Sequence, residues 1–253
     1  MRRLVLTFLA FSTLSLGVAP GASAADIPVR IPAKAASYVP TYNWTGAYLG
    51  VSLGGRWATN DSTAISIGGA APLAATASNS TKTSTFRAGG YLGYNWQVAR
   101  LWVVGIEGDI AWGNGNKTNA GALGVPFNGA DSNQTNDLWD SSLRGRAGFL
   151  LAPTWLFYGT GGVAWQSMQA TANCSVATCG ALGGIQQNST TRTGWTVGGG
   201  IEATVWGNWL ARAEYRYADY GTWRSTYFTG AAASVIDARI KTNTALVGLA
   251  YRF

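Results

Sequence analysis

Residues 209–220 read WLARAEYRYADY, a stretch in which apolar and charged side chains alternate. The odd-numbered positions up to 217 are apolar or aromatic, whereas Arg212, Glu214 and Arg216 carry charge. A period of two is that of a β-strand, whose successive side chains point to opposite faces. One apolar and one charged face are typical of the wall of a transmembrane β-barrel, which separates lipid from a polar interior.

The same alternation recurs along the chain. We identify eight such segments, at residues 44–54, 84–97, 101–112, 139–151, 155–167, 192–205, 209–220 and 241–253. Three connections are tight (98–100, 152–154 and 206–208), and four are long and polar (55–83, 113–138, 168–191 and 221–240). Short turns at one end and long loops at the other are typical of outer-membrane barrels, in which the short turns are periplasmic. The sequence therefore predicts an all-β fold, an eight-stranded antiparallel up-and-down transmembrane β-barrel with both ends in the periplasm.

The tryptophans support this layout independently. The periplasmic ends of the predicted strands carry Trp44, Trp96, Trp102, Trp155, Trp206 and Trp209. The ends that lead to the long loops carry Trp57, Trp112, Trp139, Trp165, Trp195 and Trp223. Aromatic side chains gather at both interfaces of a membrane, so the sequence predicts two aromatic belts.

The first 24 residues are typical of an export signal. Arg2 and Arg3 precede an apolar run, and the segment ends in Ala-Ser-Ala. We expect cleavage after Ala24, although a retained membrane anchor is the alternative. Residues 25–43 contain three prolines and show little alternation, which predicts a flexible periplasmic leader before a barrel at 44–253.

Composition excludes several function classes. The net charge is +7, but the basic residues are dispersed and form no nucleic-acid-binding motif. The chain contains no histidine, which removes the commonest general base and the commonest metal ligand. The glycine-rich runs at 159–162 and 198–200 lie inside predicted strands, where they ease close packing. We therefore expect no enzyme activity, no cofactor and no nucleic-acid partner.

Charged residues on the inward faces form the candidate site. A lipid-facing Arg or Lys at mid-membrane costs about 2–4 kcal/mol, so these residues must face the lumen. They are Arg87, Glu107, Asp109, Arg144, Arg146, Glu202, Arg212, Glu214, Arg216 and Arg252. Acids and arginines in a narrow lumen can pair into a salt-bridged plug. The alternative is a narrow pore that weakly prefers anions, because arginines outnumber acids.

The two cysteines, Cys174 and Cys179, lie close together in the third long loop. In an oxidising compartment they can close a small disulfide ring. A pair of free thiols is the alternative.

Two motifs carry a family resemblance. Residues 42–50, YNWTGAYLG, closely resemble the opening strand of the opacity-like outer-membrane proteins, which are abundant in alphaproteobacteria. The ending Tyr251-Arg252-Phe253 resembles the C-terminal signal recognised by the outer-membrane assembly machinery. The resemblance implies an eight-stranded barrel like the OmpA membrane domain. It implies several roles, since members act as envelope structural proteins, surface antigens and small porins.

The function predicted is that of an integral outer-membrane β-barrel with a mainly structural, envelope role and surface-exposed loops. One alternative is a small passive porin. Another is a surface protein that binds a ligand or host through loop aromatics such as Trp57, Trp223, Tyr227 and Phe228. The expected partners are outer-membrane lipid and lipopolysaccharide, together with periplasmic chaperones and the assembly machinery during biogenesis. We expect the folded protein to be a monomer.

Overall fold

The computed structural model describes residues 42–67, 78–120, 132–174, 184–227 and 234–253. Its eight strands are β1 (Gly46–Ile67), β2 (Ser78–Gln97), β3 (Trp102–Ala120), β4 (Ser132–Ala152), β5 (Trp155–Cys174), β6 (Gly184–Trp206), β7 (Trp209–Tyr227) and β8 (Ser234–Arg252). Each strand pairs antiparallel with the next, and β8 pairs with β1, so the sheet closes into a barrel. The predicted fold class is confirmed. The described residues include no helix that is long and apolar enough to cross a membrane.

The three tight turns are where the sequence predicts them. β2 and β3 are joined by residues 98–101, β4 and β5 by 153–154, and β6 and β7 by 207–208. Gly207 has a φ of +52°, a left-handed conformation that glycine adopts at no steric cost. These turns define one end of the barrel, which we take as the periplasmic end.

At the other end, the strands are longer than predicted. They contain 19–23 residues, whereas a membrane is crossed by about 9–11. The ladder between β1 and β2 continues to Thr63 and Ser78, and that between β4 and β5 continues to Ser132 and Asn173. Much of each predicted loop is therefore strand. Polar side chains cover both faces there, so the period-2 signal is lost while backbone hydrogen bonding continues.

The outer face of the barrel is apolar. Leu49, Val51 and Leu53 on β1 and Phe86 and Leu92 on β2 are all more than half exposed. An exposed apolar band of this kind marks a surface that lies against another apolar phase. The period-2 assignment of these residues to the lipid-facing side is therefore correct.

Two tryptophans depart from the predicted belts. The indole rings exposed at the periplasmic end are Trp96, Trp102, Trp155, Trp206 and Trp209, and those exposed toward the other end include Trp57, Trp112 and Trp195. Trp44 instead lies fully buried inside the barrel mouth, because it precedes β1 and folds inward. Trp223 packs against an inward-facing cluster, since a register shift between Asp219 and Thr222 changes which face β7 presents.

The barrel interior has three layers. The periplasmic layer is an aromatic and aliphatic cluster of Trp44, Tyr48, Tyr91, Val103, Leu150, Leu156, Tyr158, Leu210 and Ala250. The layer toward the long loops contains Ala164, Met168, Ala218, Tyr220 and Ile240. The middle layer is ionic. The core of this protein is thus the filled lumen rather than a space between two sheets.

Several predicted features fall outside the described residues. The signal peptide at 1–24 and the leader up to residue 41 are among them, as are Cys179 and Phe228. Cys174 is the last residue of β5, but its side chain is not described. The predicted disulfide therefore stays a prediction.

Candidate functional site

The ionic middle layer is built by strand register. Period-2 geometry turns alternate residues of each strand inward, and antiparallel pairing then sets them side by side. Glu107 on β3 lies directly opposite Arg144 on β4, and Glu202 on β6 lies opposite Arg212 on β7. Opposite charges are thus brought together by backbone pairing before any side chain adjusts.

Glu107 is the first hub of the network. Its carboxylate accepts hydrogen bonds from Arg144 and from Arg212, the latter at 2.5 Å. The Tyr48 hydroxyl donates to the same carboxylate at 2.8 Å, and Arg146 lies 3.6 Å away. The Glu107 side chain is 0% exposed, so it is charged only because these donors replace water.

Glu214 is the second hub. It accepts hydrogen bonds from Arg144 at 2.7 Å, from Arg216 at 3.1 Å and from the Tyr158 hydroxyl at 2.8 Å. The Arg144 guanidinium therefore bridges Glu107 and Glu214, and its own side chain is also 0% exposed. Planar guanidinium groups suit such shared pairing because they present several donors in fixed directions.

A third hub, around Asp109, extends the network toward the long loops. Arg87 contacts Asp109 at 2.5 Å, Arg216 contacts it at 3.1 Å, and Ser142 also donates to it. Arg87 also reaches Asp140, at 2.8 Å.

Sequence reasoning missed two charges of this network. Asp140 pairs with Arg56 at 3.0 Å as well as with Arg87, and both Asp140 and Arg56 are buried. Asp140 has the same parity as Arg144 on β4, so the alternation could have identified it. Arg56 gave a weaker signal because it fell in a predicted loop. The interior tyrosines Tyr48 and Tyr158 were missed as hydrogen-bond donors.

Glu202 is bound more weakly than the other acids. Arg146 approaches one carboxylate oxygen at 3.3 Å, and the other oxygen, Oε1, has no hydrogen-bond partner in the described part of the chain. Arg146 also stacks over the Tyr158 ring at 4.2 Å, and Arg212 over the Tyr91 ring at 3.5 Å. Cation–π contacts therefore join the ionic layer to the aromatic layer beneath it.

Arg252 lies apart from this network. Its guanidinium stacks over the Tyr42 ring at 4.2 Å and donates to the Thr45 carbonyl at 3.4 Å. The structure thus brings nine of the ten predicted charges together and places the tenth at the periplasmic mouth. Arg252 is the last residue of β8 and lies closer to the periplasmic end of the barrel than the inward-facing acids do.

The interior is close to electrically neutral. Its acids are Glu107, Asp109, Asp140, Glu202 and Glu214, and its bases are Arg56, Arg87, Arg144, Arg146, Arg212 and Arg216. Among the described residues, no group of His, Cys, Asp or Glu side chains could hold a metal ion. The chemistry that this arrangement supports is mutual neutralisation of buried charge.

The terminal aromatics lie on the outer surface at the periplasmic end. Phe253 is 72% exposed, and its ring packs edge-on against Tyr251. Tyr251 in turn packs against Trp209 of β7. The backbone N–H of Phe253 donates to the Ala47 carbonyl at 2.9 Å, which closes the seam between β8 and β1.

Of the four loop aromatics, the two whose side chains are described, Trp57 and Trp223, lie on opposite faces of the barrel wall. Trp57 is outward-facing and about half exposed, whereas Trp223 faces the interior with the Arg192 guanidinium 4.8 Å from its ring centroid. The side chains of Tyr227 and Phe228 lie outside the described set.

Comparison with protein families gives a match over nearly the whole chain. The model for the outer membrane protein β-barrel domain matches residues 11–253. The chain belongs to this family. As an outer membrane protein β-barrel it resides in the outer membrane, and the predicted family, fold and location are confirmed.

Relatives of this β-barrel occur in alphaproteobacteria. It is 29% identical over 237 residues to the 31 kDa outer-membrane immunogenic protein of Brucella melitensis, covering 93% of this chain and 95% of the relative. It is also 29% identical over 226 residues to the 25 kDa outer-membrane immunogenic protein of Brucella abortus, covering 89% and 85%. Both names describe immunogenic proteins of the outer membrane.

A solved structure supports the fold. The outer membrane protein OprG from Pseudomonas aeruginosa superposes with a TM-score of 0.51 at 12% identity, covering 84% of this chain and 98% of OprG. At this identity the likeness concerns the fold alone.

Proposed function

We propose that this protein is a structural, non-conducting component of the outer membrane, which spans the bilayer as a closed barrel and presents polar strands and loops at the cell surface. The observation that carries the proposal is the burial of the lumen charges. The side chains of Glu107, Arg144 and Glu214 are 0% exposed, and those of Arg146, Glu202 and Arg212 are 1% exposed. Water in a pore would touch these groups.

Barrel size supports the same conclusion. Eight strands enclose an interior just wide enough for side chains to fill it. Here apolar layers lie above and below the ionic layer, with Trp44 and Tyr48 below it and Met168 and Tyr220 above it. An ion that entered from either side would meet an apolar barrier before it reached the arginines of the ionic middle layer.

The proposal also covers how the protein reaches the membrane and whether it catalyses a reaction. The chain is exported, the signal peptide is cleaved after Ala24, and residues 25–43 remain in the periplasm. Periplasmic chaperones and the assembly machinery receive the chain, the latter through Tyr251 and Phe253, and the folded barrel is a monomer. Cys174 and Cys179 form a disulfide at the cell surface. No enzymatic activity and no cofactor are involved, which agrees with the absence of histidine and with the names of the relatives.

Solute flux into liposomes tests the proposal. Purified mature protein is refolded into liposomes that contain a chloride-sensitive dye, with a general porin as the positive control and boiled protein as the negative control. We expect chloride entry at the rate of protein-free liposomes. Entry that rises with the amount of folded protein would support the porin alternative instead.

A further inference from the structure

Above the membrane, the described strands divide into two separate sheets. The ladder between β2 and β3 ends at Gly113 of β3, and the ladder between β6 and β7 ends at Trp195 of β6. Both ladders stop at the extracellular aromatic belt, where Trp112 and Trp195 are exposed. The other six ladders continue beyond the belt, so β7, β8, β1 and β2 form one four-stranded sheet and β3 to β6 form the other.

Each split begins where one strand has an extra residue. On β3, Gly113 and Asn114 face one residue of β4, and on β7, Tyr220 and Gly221 face one residue of β8. Gly221 has a φ of +70°, and its N–H donates to the Asp219 carboxylate at 2.8 Å. An extra residue of this kind bends its strand and disrupts the ladder. The splits therefore follow from the local geometry of β3 and β7.

The splits leave four free strand edges, at residues 78–86 of β2, 114–120 of β3, 184–194 of β6 and 222–227 of β7. Within the described strands, none of these edges has a partner on its open side. Unpaired backbone N–H and C=O groups are a template for another strand, and natural edges are commonly protected by charged side chains. The edges of β2, β3 and β7 contain Lys82, Lys117 and Arg224.

The free edge of β6 differs from the other three. Residues 184–191 read GIQQNSTT, with no charge and no proline over about 26 Å of extended chain. The charge of this edge, Arg192, lies at its base, where the guanidinium is 4.8 Å from the centroid of the Trp223 ring. The eight residues beyond it therefore lack the usual protection against strand pairing.

This stretch is available to a partner along its length. It pairs with β5 on one side, and its odd-numbered side chains, from Ile185 to Thr191, are exposed. In an antiparallel strand, the backbone groups of alternate residues point to opposite neighbours, so about four of the eight residues present N–H and C=O on the open side. A strand added there would form a continuous sheet with β6 and β5.

A second copy of the barrel does not fit this edge. Two copies in one membrane, related by a two-fold axis along the membrane normal, present strands that tilt about 35–45° in opposite directions. Their β6 edges would cross at roughly 70–90°, whereas neighbouring strands of a sheet differ by only about 20–25°. The occupant must therefore be free to align with β6, as a soluble peptide segment is.

The side chains of the edge indicate the chemistry of that segment. Ser189 and Thr191 are exposed on one face, and hydroxyl-bearing and β-branched residues pair well with them across strands. A charged residue would find no opposite charge within 184–191. We propose that residues 184–191 bind an extended, uncharged segment of a soluble extracellular protein by β-strand addition, in which main-chain hydrogen bonds supply the affinity.

Fluorescence anisotropy on the full mature protein, refolded into lipid vesicles, tests the proposal. The probe is a short labelled peptide of alternating threonine and valine, N-methylated on every second amide so that it has one pairing edge. We expect saturable binding, and we expect none for the same peptide N-methylated on every amide, because it has no N–H to donate. No saturable binding of the probe, or equal binding of the two peptides, would overturn the proposal.

Lysine variants test the assignment to β6. Gln187→Lys/Ser189→Lys should bind the probe at least about tenfold more weakly, because roughly two backbone hydrogen bonds are lost where the lysines keep the peptide away. Ser189→Lys alone should show a smaller loss, which keeps the test available if the double variant does not fold. Thr63→Lys is the matched control, since it adds an exposed lysine to β1, which is paired on both sides. The control should bind the probe as the unmodified protein does.

A photoreactive group on the probe identifies the edge that it occupies. We expect cross-links to residues 184–194, found by mass spectrometry of proteolytic fragments. Cross-links confined to β2, β3 or β7 would contradict the assignment, as would normal binding by the lysine variants. If probe binding fell as the density of protein in the vesicles rose, a second copy would occupy the edge and the proposal would be wrong.

Discussion

At the scale of single residues, the stability of this barrel depends on how completely each buried charge is paired. Glu107 has three charged or hydroxyl donors within 2.8 Å, whereas Glu202 has one arginine at 3.3 Å and an unpaired oxygen. Removing one partner of a buried pair leaves the other charge uncompensated, at a cost of about 3–5 kcal/mol. The acids of the lumen should therefore differ in importance.

We predict that Glu107→Gln lowers the free energy of unfolding by about 3–5 kcal/mol and that Glu202→Gln lowers it clearly less. Glu214→Gln, which affects Arg144 and Arg216, should resemble Glu107→Gln. Urea unfolding in lipid vesicles, followed by tryptophan fluorescence, measures the three values.

The matched control is an exposed ion pair above the membrane. Arg224 and Asp237 lie opposite each other on β7 and β8, with their atoms 2.7 Å apart, and the hydrogen bond from Arg224 lowers the pKa of Asp237. Asp237→Asn should leave the unfolding midpoint unchanged, because water compensates an exposed charge. If all four variants lost equal stability, burial would not be the reason for the effect.

A second prediction concerns a glycine beneath Tyr48. A Cβ atom on Gly93 would collide with the Tyr48 hydroxyl, which donates to Glu107. Gly93→Ala should therefore destabilise the barrel by about 1–3 kcal/mol. At Gly90, on the same strand, the nearest atom to an added Cβ is 3.7 Å away, so Gly90→Ala serves as the control. Equal unfolding midpoints for the two variants would contradict the packing shown here.

The sequence identifies the inward charges well, because alternation is strong where lipid faces one side of a strand. The sequence could not show which of these charges contributes most to stability, because their pairing depends on contacts between strands that are far apart in sequence. Arg144 and Glu214, for example, are 70 residues apart. Likewise, nothing local shows that Arg252 stacks on Tyr42 rather than meeting an acid.

At the scale of elements, the segment before β1 acts as a plug at the periplasmic mouth. The Trp44 indole is 0% exposed, and its N–H donates to the Pro153 carbonyl at 3.1 Å. The Trp44 backbone N–H donates to the Gln97 side chain at 3.0 Å. This short segment therefore connects two periplasmic turns from inside the barrel.

We predict that Trp44→Ala lowers the free energy of unfolding by about 3–5 kcal/mol, as loss of a buried aromatic ring does elsewhere. Trp206, which is 81% exposed at a periplasmic turn, provides the control, and Trp206→Ala should have a smaller effect. Thermal unfolding of both variants gives the comparison. A greater loss of stability for Trp206→Ala than for Trp44→Ala would mean that the belt tryptophans stabilise the barrel more than the plug does.

The last strand gives a prediction about assembly. Deleting Phe253 removes one hydrogen bond to Ala47 and one exposed ring, so the finished barrel should remain folded. If the terminal aromatic is the assembly signal, the truncated protein should accumulate in the periplasm, while Phe253→Tyr reaches the surface normally. Protease accessibility on intact cells distinguishes these results. Normal surface levels of the truncated protein would place the signal elsewhere.

Strand number, order and turns could be predicted from the sequence, whereas strand length could not. Within the membrane, each strand alternates because one face meets lipid and the other the lumen. Beyond the membrane, residues 60–63 on β1 carry polar side chains on both faces, and backbone pairing with β2 and β8 continues through them. Hydrophobic periodicity therefore cannot predict where a strand ends when backbone hydrogen bonding continues through polar residues.

At the scale of the whole molecule, two features act together: the sheet closes into a barrel, and side chains fill the barrel lumen. Pairing of β1 with β8 closes the sheet formed by the eight described strands, and the apolar layers keep the charged groups of the ionic layer out of contact with water. The unboiled protein should therefore migrate differently from the boiled protein on an SDS gel, because a closed barrel resists the detergent at room temperature. Identical migration of the two samples would contradict the closed fold.

The central claim is that the lumen is filled and does not conduct. Single-channel recording of the refolded mature protein in planar bilayers tests it most directly, on a sample whose SDS-gel shift shows that it is folded. We expect the current of a protein-free bilayer, with no discrete steps, at both polarities. Reproducible steps that favour anions would contradict the claim, because they would require a continuous water path past Arg144 and Arg212.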